Sequence, residues 1–208
     1  MADYPADIYA SPACGIDTLA QLGPLAALAG TWEGTRGLDI APKRTGARRQ
    51  EFFERITLEL VDPGNNGPQV LYALRYHTWM SKPGEKGTYH DQVGYWLWEP
   101  ATGTVMHSLT IPRGQTVLAV GHCAADAKQF TLRASRGATD YGICSNPYLE
   151  TNFRTDSFEI TVTIHDDGTW SYEEDTVMQI TGQAEPFHHR DSNRLTRVAA
   201  ASPNPLMA

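Results

Sequence analysis

Seven histidines are the residues best able to do chemistry in this sequence. An imidazole binds metals and moves protons near neutral pH. His188-His189 open an alternating run that continues to Val198, and neighbours in a strand face opposite ways, so one of the pair looks inward and the other outward. Phe187, His189 and Asp191 share one face of that run, which favours His189 as the inward residue. His90 begins another run and is followed by Asp91, Gln92 and Gly94-Tyr95-Trp96, so His90 with Asp91 is an acid–base candidate. His77 and His107 lie mid-run, where a hydrogen-bonded structural histidine is the plainer reading, and His122 and His165 adjoin turns and read as surface imidazoles. There is no His-x-His spacing, no H-E-x-x-H, no G-x-S-x-G elbow and no Walker loop. A zinc site would need three histidines converging from separate strands.

The elements that must position these residues are strands. Ten strand-like runs cover 31–40, 48–61, 69–80, 88–98, 105–111, 115–123, 129–135, 157–165, 169–181 and 187–198. The alternation is clearest where Phe158, Ile160, Val162 and Ile164 interleave with Glu159, Thr161, Thr163 and His165. Asp62-Pro63-Gly64-Asn65-Asn66-Gly67 reads as a loop, and Glu99-Pro100-Ala101-Thr102-Gly103 and Asp166-Asp167-Gly168 read as tight hairpins. Evenly spaced strands with short connections predict an all-β, about ten-stranded antiparallel up-and-down barrel of the lipocalin and fatty-acid-binding-protein type, wide enough for a ligand cavity. Ahead of it, Leu19, Leu22, Leu25 and Leu28 have helical spacing interrupted by Gly23-Pro24, which predicts a short helical cap ending at Gly30. The expected organisation is an extension and cap at 1–28, a barrel at 29–198 and a flexible tail at 199–208. The long stretch 136–154 predicts a lid over one barrel mouth, through Tyr141, Ile143, Tyr148 or Leu149.

Composition narrows the function classes. The chain has 208 residues, with 24 acidic against 17 basic side chains and a net charge of -7. Nucleic-acid binding needs a basic stripe, and the one dense basic cluster, Lys43-Arg44 with Arg48-Arg49, reads as a solvated hairpin. Mean hydropathy is -0.39, no apolar run approaches the roughly 20 residues of a membrane helix, and the first twenty residues lack a secretory pattern. Cys14, Cys123 and Cys144 are odd in number and widely spaced, which argues against a disulfide framework and fits a reducing, cytoplasmic setting. The oligomeric state stays open, a homodimer included.

Several of these residues fall into a familiar order. Pro24-Leu25-Ala26 leads to Ala29-Gly30-Thr31-Trp32-Glu33-Gly34. Then come His90-Asp91-Gln92-Val93-Gly94-Tyr95-Trp96, Ile111-Pro112-Arg113-Gly114, and His188-His189 ahead of Leu195-Thr196-Arg197-Val198. This resembles the nitrobindin family of haem-binding β-barrels, with its P-L-x-x-L-x-G-T-W-x-G opening and its H-x-E-x-G-Y-W strand. The resemblance runs from Pro24 to Val198. It implies a ten-stranded barrel holding haem b at one mouth, iron ligation by His189 or His188, and a distal His90. It also implies nitric oxide binding and peroxynitrite isomerisation. Gln92 stands where the family has Glu, and Arg190-Asp191 follow His189 where an apolar residue is usual. A neutral imidazole suits haem iron, with its second nitrogen on a carboxylate such as Asp191. Trp32, Tyr95, Trp96, Trp98 and Tyr76 could supply an apolar wall, although aromatic residues in strands are more often core. The alternative is a lipid or other apolar metabolite held without haem, for which Arg75 and Arg133 are candidate carboxylate partners.

Overall fold

Alternation along each strand gives the sheet one apolar face, and closure turns that face inward. The computed structural model describes residues 4–203. Positions 204–208 of the expected tail lie outside the described residues. In β9 (Phe153–Ile164), Phe158, Ile160 and Val162 are buried while Glu159, Thr161 and Thr163 turn outward. The same pattern recurs through β1 (Gly30–Lys43), β2 (Gly46–Asn66), β3 (Gln69–Ser81), β4 (Thr88–Glu99), β5 (Thr104–Ile111), β6 (Gln115–His122), β7 (Gln129–Arg136), β10 (Trp170–Ile180) and β11 (Phe187–Ala199). The strands close into a barrel in which β11 returns to pair with β1.

All ten predicted runs are strands, and an eleventh, β8 (Gly142–Ser145), comes from the stretch expected to be an irregular lid. Four residues are too few to show an alternation. β8 runs antiparallel to β6 and parallel to β7, filling a seam where β6 and β7 meet at a single bridge, Val120 with Arg133. It is followed by helix α2 (Pro147–Asn152), capped by the Asn146 side chain. The 136–154 stretch is therefore part of the wall. Leu149 and Phe153 border the open mouth, whereas Tyr148 is exposed. Positions 62–66 of the predicted loop are also strand, and the turn begins only at Gly67. A bulge between Val61 and Gly64 absorbs Pro63, and β2 resumes pairing as far as Asn66.

The other mouth is closed by the N-terminal segment. Helix α1 (Thr18–Gln21), capped by Asp17, leads into a 3-10 helix (Gly23–Leu28) with Pro24 in its first turn. Leu22, Leu25 and Leu28 have no exposed surface, whereas Leu19 faces solvent. Gly23 has φ 54°, and a Cβ there would stand 2.6 Å from the Trp98 ring, so both the turn and the contact require glycine. No helix among the described residues is long and apolar enough to cross a membrane.

Candidate functional site

One cavity of about 190 Å³ lies inside the uncapped end. Its apolar wall is Ile56, Met80, Trp96, Ile160 and Trp170. Its polar ring is Asp39, Glu54, His90, Glu174, His189 and Asp191, with Lys43 and Arg113 also on the lining. A smaller recess of about 110 Å³, bordered by Leu149 and Phe153, shares His90, Arg113 and His189 with it.

The two adjacent histidines part as strand geometry requires. His189 faces the cavity, where Nε2 lies 3.1 Å from Asp39 Oδ1 and 3.4 Å from Asp191 Oδ2. His188 faces outward and pairs with Asp175 at 2.8 Å. Burial opposes a charge on His189, but the Asp39 hydrogen bond and the nearby charges of Asp191, Asp39 and Glu174 outweigh it and raise its pKa. Desolvation pushes Glu174 up to about 8 and Asp191 up to about 6, with the neighbouring carboxylates adding to both.

His90 lines the cavity near His189. Its Nε2 lies 3.3 Å from Gln92 Oε1, so Nε2–H donates and Nδ1 keeps the lone pair. Desolvation, then Arg113, lowers His90 to about 4, so it is neutral at pH 7. The chain of polar groups continues inward. Gln92 Nε2 donates to the Tyr76 hydroxyl at 2.7 Å, and that hydroxyl donates to His107 Nε2 at 2.9 Å. His107 therefore carries its proton on Nδ1, which has no partner among the described residues. Its ring is stacked on Trp96 at 3.9 Å and is 2% exposed.

Desolvation lowers His107 to about 3. The unfolded chain therefore binds this proton more readily than the folded one, and the contribution to stability is present above about pH 6.5 and lost as pH falls towards 3. For a fully buried group that amounts to about 2 kcal/mol lost by pH 5. In urea titrations at pH 7 and pH 5, the stability of the wild type minus that of His107→Phe should shrink by about this much. A difference that stays constant with pH would refute the assignment.

Other expected site residues lie elsewhere. Trp32 is buried under the cap, where its Nε1–H donates to the Leu28 carbonyl at 2.7 Å, and it does not line the cavity. Tyr95 is on the outer face, 43% exposed. Asp91 turns outward to His77 at 2.9 Å, so it is no partner for His90 in the cavity. Arg75 and Arg133 also point outward, paired with Glu59 and Glu159, and cannot hold a ligand carboxylate inside the barrel. Strand parity decides the outward residues: Tyr95 and Asp91, for example, are out of phase with buried Trp96 and Trp98. Tyr76 and Trp96 do line the cavity, and Trp98 packs beneath the cap.

The residues not singled out from the sequence are Asp39, Glu54, Tyr172, Glu174 and Asn193, all inside the barrel, and Arg113 as a lining side chain. The available signal was phase. Glu54 falls between inward Phe52 and Ile56, and Glu174 follows inward Trp170 and Tyr172.

The chain matches the family described as THAP4-like, heme-binding beta-barrel domain over residues 21–197. No curated protein matches it at the sequence level. Among solved structures, that of Rv2717c from M. tuberculosis is similar, with a TM-score of 0.59 and 23% identity over 87% of this chain and 97% of that one. At that identity the likeness speaks for the fold.

Proposed function

Because this chain belongs to the THAP4-like, heme-binding β-barrel family, we propose that its barrel binds a small molecule, and that the molecule is compact, with an apolar body, rather than haem. The observation that carries this reading is the form of the cavity, an apolar and aromatic pocket of about 190 Å³ closed at one end by the cap and ringed by acids at the other. Even with the adjoining recess of about 110 Å³, the space reaches only the lower end of the roughly 300–1,000 Å³ of pockets for drug-sized ligands, and haem is larger than such ligands. A body packed on Trp96, Ile56 and Ile160 would place its polar end at the ring of Asp39, Glu174, His189 and Asp191.

The donor set does not fit haem. His189 Nε2 is the cavity nitrogen that would hold the iron, and it lies 3.1 Å and 3.4 Å from two carboxylate oxygens. Both oxygens already engage the nitrogen that a haem iron would need free. Glu174 adds a third acid on the same wall. The nitric oxide and peroxynitrite chemistry expected from the resemblance depends on that group.

Indole, a compact aromatic molecule with one N–H donor, is a suitable probe. Calorimetric titration of the full chain should give one site with a negative heat-capacity change. Ile160→Phe, which adds bulk to the wall, should weaken binding about tenfold or more. Hemin added to the same protein should give no His189-dependent Soret band. A one-to-one hemin complex whose Soret band disappears in His189→Ala overturns the reading.

A further inference from the structure

The inner face of the open end carries three carboxylates in a row. Asp39 on β1 is directly opposite Asp191 on β11, and Asp191 is directly opposite Glu174 on β10. Like charges directly opposite one another on one face of a sheet are destabilising, and the low dielectric of a barrel interior sharpens the repulsion. A single imidazole, His189, stands among them. Even as imidazolium it brings one positive charge to three acids. Asp39 and Asp191 each contact it, but Glu174 has no hydrogen-bond or ion-pair partner among the described residues, though its side chain faces the same cavity. The inner face therefore offers more carboxyl oxygens than its one imidazole pairs with.

We propose that Asp39, His189 and Asp191 bind one divalent first-row transition-metal ion at the open end of the barrel, with Glu174 facing it as a third carboxylate. One ligand atom from each of the three residues lies within 4.8 Å of the others. Ligands about 2.1 Å from a metal stand about 3.0 Å apart in octahedral and about 3.4 Å apart in tetrahedral geometry. The His189 Nε2 separations of 3.1 Å and 3.4 Å fall at those values. One imidazole with carboxylates is a donor set for Zn²⁺ or Mn²⁺. Three protein ligands also leave a position facing the cavity, where an oxygen of a bound molecule could be held. This goes beyond the ligand reading, and it is tested with no organic molecule present, so the two can fail separately.

The test is calorimetric titration of the full chain, stripped with a chelator, with ZnCl₂ and separately with MnCl₂. One ion per chain is expected for at least one of them. Asp191→Asn and His189→Gln should each weaken binding about 100-fold or more, beyond the 10–100-fold typical of residues that merely support a ligand. His188→Gln, on the outer face, should leave stoichiometry and affinity unchanged. Should the cavity variants misfold, imidazole ¹H–¹⁵N spectra of the wild type decide the matter, with His188 assigned from its own variant. Zn²⁺ should shift the His189 ring nitrogens and leave those of His188 in place. Absence of binding by both ions, binding lost in His188→Gln, or binding retained in Asp191→Asn overturns the proposal.

Discussion

Trp32→Ala should destabilise the fold by about 3–5 kcal/mol, the range for emptying a buried tryptophan site. Three contacts depend on this one indole. It is 1% exposed and meets Trp170 edge-on at 6.1 Å between ring centroids. Its Nε1–H satisfies the Leu28 carbonyl at the end of the 3-10 helix, and Arg197 lies over its face at 4.5 Å. Truncation opens a cavity, leaves that carbonyl without its donor and removes the cation–π partner of Arg197. At 2–4 °C per kcal/mol for a chain of this size, the melting temperature should fall by roughly 6–20 °C. Indole affinity should change less than about threefold, because Trp32 lies under the cap and not on the cavity wall. Urea denaturation and calorimetry check both halves. A loss below 1 kcal/mol, or a loss of binding by protein that remains folded, would show that the residue has been placed wrongly.

The barrel was legible because its inner face writes itself as alternation. Phe158, Ile160 and Val162 show the period directly, and turn residues such as Gly103 and Gly168, both at positive φ, mark where strands reverse. β8 was not legible, since Gly142-Ile143-Cys144-Ser145 carries too few residues for a period and owes its pairing to the open seam between β6 and β7. Parity favoured His189 over His188, but it could not reveal that Nε2 would be held between two carboxylates. Asp39 reaches His189 from 150 residues away, across the β1–β11 closure. The acids were the least visible part of the site. A reading that seeks apolar inner positions passes over Glu54 and Glu174, although both keep the phase of their buried neighbours. A charged residue at an apolar phase position costs several kcal/mol to desolvate, so it marks either a buried network or a ligand. The two acids differ in this respect: Glu54 is fully hydrogen-bonded within the wall, and Glu174 has no partner among the described residues.

Glu54→Ala should cost about 3 kcal/mol, with Glu54→Gln losing about 1 kcal/mol or less. Glu54 is 2% exposed and links four strands from inside the barrel. Oε1 accepts from the Thr78 hydroxyl at 3.0 Å, and Oε2 accepts from the Tyr172 hydroxyl and from Asn193 Nδ2, each at 2.9 Å. Gly34 makes room for this cluster, since a Cβ there would lie 2.2 Å from Asn193 Nδ2. Alanine leaves the Tyr172 and Asn193 donors buried without an acceptor, at roughly 1–3 kcal/mol each, partly offset by removing a carboxylate that desolvation already disfavours. Glutamine behaves differently because one donor can turn. With the amide nitrogen towards Thr78, that hydroxyl accepts from it and donates instead to the Arg55 carbonyl, already 3.3 Å away, while the amide oxygen keeps Tyr172 and Asn193. Glutamine also carries no charge to desolvate. Urea denaturation of the three proteins at pH 7 separates the outcomes. Equal losses in both variants would mean that the negative charge itself, and not the satisfied hydrogen bonds, is what the barrel interior requires at position 54.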